Sequence, residues 1–196
     1  MVRAFLLLAP GGPGPGPGHA PGHAPCRLLL ARAFAPPGTP PGTPPGSPPR
    51  QRLRRKEQLL AVARQVASHC HLHQASSGRP PAPPLPEDPP SLHNAPGGLF
   101  RLPPGDPFPQ GTSVAWLAAP NLAFALVCDP RENLALAEGT LRHLAPRLLA
   151  TLRPPGTGVL LRPDAADLLL DRLLPHGQLL FLSERFLQAA DRELSR

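Results

Sequence analysis

The densest structural signal lies in Gly111-Thr-Ser-Val-Ala-Trp-Leu-Ala-Ala-Pro120-Asn-Leu-Ala-Phe-Ala-Leu-Val-Cys128, continued by Asp129-Pro-Arg-Glu-Asn-Leu-Ala-Leu-Ala-Glu-Gly-Thr-Leu-Arg142 and on to Arg153. Thr112–Ala119 and Leu122–Cys128 read as two strands of a hairpin. One alternating set includes Val114 and Trp116, the other Leu117, Phe124 and Leu126. Neither set is polar, as it would be in a sheet with one wet face, so the sheet is expected to be covered on both sides. Ala115, Ala119, Ala123 and Ala125 leave room for a close neighbour. Pro120 is locked near φ −65° and cannot take the positive φ of a two-residue type I′ turn, which predicts a longer connection.

A helix is predicted from Pro130 to about Arg153. Asp129 is the expected cap, Pro130 suits the first helical position, and Glu132 stands where a capping-box carboxylate stands. Leu134, Ala137, Leu141, Leu144, Ala145, Leu148, Leu149 and Leu152 form an apolar stripe at helical spacing. Pro146 interrupts the ladder without breaking the phase of the stripe, so one kinked helix is expected.

Working outward, Val2–Leu8 reads as a first strand and Cys26–Phe34 as a second, apolar but for Arg27 and Arg32. Met1-Val-Arg before Ala4–Ala9 also suits a short signal peptide; a strand explains the run equally well. Arg50–His73 reads as a helix that buries Leu59, Val62, Ala63, Val66 and Cys70 and turns Arg52, Arg54, Arg55, Lys56, Arg64 and Gln65 to water. Leu99–Leu102 is a short strand before the hairpin. Val159–Leu161 reads as extended, and Gln178–Leu182 is apolar and ambiguous. Pro163-Asp-Ala-Ala-Asp167 reads as a helix start with Asp164 as cap, leading into Leu168–Leu174; Pro175-His-Gly177 stops it, and Ser183 caps a last helix ending near Leu194. Two strands, a helix, three strands and further helices predict an α+β domain: a five-stranded antiparallel sheet flanked by helices on both faces.

The chain has 196 residues, and most of its 33 prolines and 18 glycines fall before residue 110. Residues 10–25, 36–49 and 76–96 therefore read as low-complexity loops or linkers within a single domain spanning 1–196. The Pro-Pro-Gly-Thr and Pro-Pro-Gly-Ser units recur every four residues, which excludes a collagen helix, whose glycines fall every third. No run reaches the length of a membrane span. The formal charge of +7 favours acidic partners without choosing one. Cys26, Cys70 and Cys128 are an odd, scattered set without a CxxC pair, as in a reducing compartment.

The strongest polar feature is Arg50-Gln-Arg52-Leu-Arg54-Arg55-Lys56-Glu57. Arg50, Arg52, Arg54, Arg55 and Lys56 are the candidate partner or membrane contact, because clustered cations attract anionic headgroups and a helix gains nothing from them at its N-terminus. Nucleic acid is disfavoured: the run has no aromatic residue on which bases could stack. His69 and His73 share a helix face, but two ligands without a second cysteine do not make a zinc site. Pro83-Pro84-Leu85-Pro86, with Arg79 near, is a PxxP core, and the alternative reading is a proline-rich scaffold that recruits groove-type recognition domains. Ser183, His176 and Asp171 are close in sequence only. Without a nucleophile elbow or phosphate loop, no catalytic or metal site and no cofactor is expected.

Leu53–Val66, Ser77–Pro81, Glu132–Arg142 and Leu174–Leu182, in that order, resemble the sigma subunits of the fifth adaptor-protein complex over nearly the whole chain outside the Pro/Gly tracts. The resemblance implies a longin-like fold and a non-catalytic small subunit of a heterotetramer, packed against a large zeta subunit beside a second large (beta) subunit and a medium (mu) subunit. It implies a cytosolic coat, peripheral on late endosomes and lysosomes, that sorts membrane proteins together with spatacsin and spastizin. The proline-rich expansions and Pro146 depart from the family pattern. No motif allows the cargo-signal residues of other sigma subunits to be carried over.

Overall fold

The computed structural model describes residues 1–11, 26–34, 49–77, 92–105, 108, 110–119, 121–151 and 162–194. The repeats of 36–48, the PxxP core at 83–86 with Arg79, Val159–Leu161 and Leu152 lie outside them. Five strands form one antiparallel sheet in the order β2-β1-β5-β4-β3: β1 Val2–Ala9, β2 Arg27–Ala33, β3 Gly97–Leu102, β4 Thr112–Ala119 and β5 Leu122–Cys128. Among the described residues its α-helices are α1 Pro49–Ser77, α2 Leu134–Thr151, α3 Pro163–Leu173 and α4 Glu184–Leu194. This is the α+β, longin-like arrangement expected.

The sheet is covered twice. Ala4, Leu6, Leu8, Val114, Trp116, Ala118, Ala123, Ala125 and Val127 pack under Val62, Ala63, Val66, Ala67 and Cys70 of α1. Phe5, Leu7, Ala115, Leu117, Phe124, Leu126 and Cys128 pack under Leu141, Leu144 and Leu148 of α2 and Leu169, Leu170 and Leu173 of α3. Phe124 is fully buried and Trp116 is 5% exposed. Of the hairpin alanines, Ala123 and Ala125 face α1 and Ala115 and Ala119 face the α2 layer, where small side chains let a helix approach closely. The α1 stripe is the expected one, with Leu59 half-buried at its start.

Two bulges adjust the pleat. Between Val2 and Ala4 the register against β5 slips by one residue, so Val2 and Phe5 face the same layer and Arg3 is turned outward. Between Leu7 and Leu8 the register against β2 slips across Leu29, and Leu29 and Leu30 both reach the α2 layer.

Three expectations are corrected. Ala119 pairs with Leu122, so the hairpin connection is two residues long. The left-handed φ of 63° falls on Asn121, a residue type that tolerates it; the argument from Pro120 excluded only turns that place it on the first residue. The long helix begins at Leu134, four residues later than expected, and its cap is Asn133, whose Oδ1 accepts from the Leu136 N–H at 3.1 Å. Asp129 is engaged elsewhere. Its carboxylate pairs with Arg3 and, at 3.2 Å, with the Met1 amine. Glu132 pairs with the same amine. Third, Asp164 does not cap its helix: Arg162 holds the cap position of α3, without a side-chain hydrogen bond, and Asp164 lies in the first turn. Gln178–Ser183, left open by the sequence, takes neither helix nor strand between the Pro175–Gly177 turn and α4. A single helix runs through Pro146. Ser183 caps α4, its Oγ accepting from the Phe186 N–H at 3.3 Å.

The outer helices are clamped by ion pairs. Arg147 of α2 donates to both oxygens of Asp191 in α4, at 2.8 and 2.9 Å. Arg172 of α3 reaches Glu193 at 2.5 Å. Arg32 of edge strand β2 reaches Asp167 at 3.1 Å and Asp171 at 2.5 Å on α3.

Candidate functional site

A chain whose sheet is sealed on both faces can meet partners only through its outer helix surfaces, its edge strands and its loops. The candidate cations lie at the start of α1. Arg54, Arg55 and Lys56 are exposed, as are Leu53 and Glu57 beside them. Arg50 and Arg52 are on the same helix, with side chains outside the described set.

The histidines do not converge. His69 lies flat against Phe100, ring centroids 4.6 Å apart, and over Trp116 at 6.0 Å. It closes the α1 face over β3 and β4. His71 Nε2 lies 3.1 Å from the Pro10 carbonyl oxygen. Among the described residues no group of three or more potential ligands could hold a metal. Burial pushes the thiols of Cys70 and Cys128 up to about 12, so both behave as small apolar side chains. Cys26 is also raised by burial, and its Sγ donates to the Ala63 carbonyl at 3.6 Å.

Ser183, His176 and Asp171 are each used otherwise. Ser183 caps α4, Asp171 holds Arg32, and His176 sits at φ 52° in the turn before Gly177. A polar cluster joins the Met1 amine, Arg3, Asp129 and Glu132. Burial pulls the Asp129 pKa upward, but hydrogen bonds from Arg3 and the amine outweigh it and hold the carboxyl below its ordinary value. The amine's bond holds Glu132 low as well. Both carboxylates are kept ionised against cations, which ties β1 to the end of β5 and leaves neither poised as an acid or base.

The outer surface carries apolar side chains the sequence reading did not single out. Leu72 of α1, Leu168 of α3 and Phe181 in the segment before α4 are 67, 59 and 88% exposed. An apolar residue in a helix-poor run before a cap was the available signal for Phe181. It could not be separated from a core residue, because its neighbours Leu179 and Leu182 are half-buried. No helix among the described residues is long and apolar enough to cross a membrane.

Comparison with known proteins agrees with this architecture. The family model described as AP-5 complex subunit sigma-1 matches residues 1–195. The human AP-5 complex subunit sigma-1 is 52% identical over 151 residues, which cover 74% of this chain and 76% of the human protein. The mouse protein of the same name is 53% identical over 107 residues, covering 53% of this chain and 63% of the mouse one. The chain therefore belongs to the AP-5 complex subunit sigma-1 family, a family of non-catalytic adaptor small subunits.

Proposed function

We propose that this chain is the small subunit of a four-subunit adaptor coat and serves as a docking piece in vesicle-mediated transport. In this reading it packs against a large zeta subunit, beside a second large (beta) and a medium (mu) subunit. The coat associates peripherally with late endosomes and lysosomes, works with spatacsin and spastizin, and sorts membrane proteins there. The observation that carries the reading is the match to the AP-5 sigma-1 family across residues 1–195. The sealed sheet supports it: with both faces covered, what the described residues offer for recognition is the outer surface, where Phe181, Leu72 and Leu168 stand in water. Large apolar side chains exposed in this way are commonly covered in an assembly.

Co-expression with each candidate large subunit tests the reading. The expected result is that the zeta-type subunit raises the soluble yield of this chain and co-purifies with it, while an unrelated large adaptor subunit does neither. Equal yield and no co-purification with any large subunit would sink it.

A further inference from the structure

Near its start α1 is covered by none of the described residues. Leu53, Arg54, Arg55, Lys56 and Glu57 are five consecutive exposed residues. That is more than the 3.6 residues of one turn, so at this level no side of the helix is covered. The helix meets the sheet layer only from Leu59 onward. In sequence the run holds Arg50, Arg52, Arg54, Arg55 and Lys56 against the single acid Glu57.

The charge is unspent. Arg3, Arg32, Arg142, Arg147 and Arg172 each hold a carboxylate within the chain. Arg54, Arg55 and Lys56 hold none among the described residues and have no other polar partner there. Cations in the first turns also oppose the helix dipole and one another. The run is thus unfavourable in the chain alone and becomes favourable only beside an anionic surface.

Leu53 decides which surface. It is 58% exposed in the middle of the cations. Against an acidic protein patch it would be pressed among carboxylates. At a bilayer the same arrangement is satisfied throughout: guanidinium forks meet headgroup phosphates, and the leucine enters the boundary with the acyl chains.

We propose that the exposed turn of α1 from Leu53 to Lys56 binds the anionic phosphates of a membrane surface. The proposal rests on the adaptor reading, in which other subunits bring the coat to the membrane and this stub adds a salt-sensitive contact.

The test uses the assembled complex, carrying either the unchanged chain or the triple variant Arg54→Gln/Arg55→Gln/Lys56→Gln. Each is floated with vesicles of phosphatidylcholine alone or phosphatidylcholine with phosphatidylserine. Removing three cations is expected to lower partitioning onto the serine vesicles by roughly a hundredfold. Leu53→Ser is expected to lower it several-fold without altering its salt dependence, and Glu57→Gln to raise it. Hydrogen exchange across β1 and β5 checks that the fold is unchanged. Equal partitioning of the triple variant, or binding that ignores phosphatidylserine, overturns the proposal. So does loss of the triple variant from the complex, which would mark an acidic protein as the partner. If the unchanged chain joins no complex, the adaptor reading fails instead, and the free chain floated with the same vesicles still tests the stub.

Discussion

Gly177 shows how tightly single residues hold this fold. Its φ of 76° lies in the left-handed region, and a Cβ placed there would stand 2.4 Å from the Val2 carbonyl oxygen and 2.8 Å from Phe34 Cβ. The turn from Pro175 to Gly177 thereby presses its backbone onto the ends of β1 and β2. Gly177→Ala must both strain the backbone and push the turn off the sheet, at a cost of about 3 kcal/mol or more. Urea unfolding should show the midpoint fall accordingly; an unchanged midpoint would mean that the contact is not held in solution. Gly177 was legible as a helix stop, since Pro-His-Gly can hardly be anything else. Its packing role was not, because the atoms it touches belong to Val2 and Phe34, far away in the chain.

At the scale of elements, capping and charge divide labour between neighbours that look interchangeable in sequence. Asp129-Pro-Arg-Glu132 has the form of a helix start, but tertiary contact with Arg3 and the Met1 amine claims both carboxylates. Asn133 then caps α2 from four residues further on. The two roles have different pH signatures. Asn133→Ala should cost about 1 kcal/mol at every pH, the usual worth of a cap. Asp129→Asn should cost at most about 1 kcal/mol, since the pair is partly solvated, and only where the carboxylate is ionised. Its folded pKa is depressed, so its contribution is complete above the ordinary carboxylate value of about 4 and vanishes as pH falls through the folded value. Stability measured from neutral pH into acid should therefore show the Asp129→Asn deficit closing while the Asn133→Ala deficit persists. A deficit that closes for both, or for neither, would refute this division. The strands and helices themselves were legible because their periodicities are strong and both sheet faces are apolar. The cap was misplaced because a local pattern cannot reveal that a distant arginine has taken its carboxylate.

For the whole molecule, the same limit governs the candidate site. That both faces of the sheet are covered follows from sequence, because a half-wet sheet would show polar residues at every second position. Which apolar residues lie outside does not follow, because Leu168 has the same stripe-forming chemistry as Leu169 and Leu170 beside it. Only the packing of α3, tied down by Arg32 through Asp167 and Asp171, turns Leu168 to water. Phe181 stands out in the same way, in a segment whose Leu179 and Leu182 pack half-buried against the core. Such side chains add nothing to the folded chain in isolation and tend to lower its solubility. Replacing both, Leu168→Ser with Phe181→Ser, should therefore leave the urea midpoint of this chain nearly unchanged and raise its solubility alone. In the co-expression experiment the same variant should lower recovery with the large subunit by roughly tenfold or more, as expected when buried anchors of an interface are truncated. A variant that co-purifies as well as the parent would place the docking surface elsewhere, with Leu72 on the far helix as the next residue to change. A variant that unfolds would show instead that these side chains belong to the core.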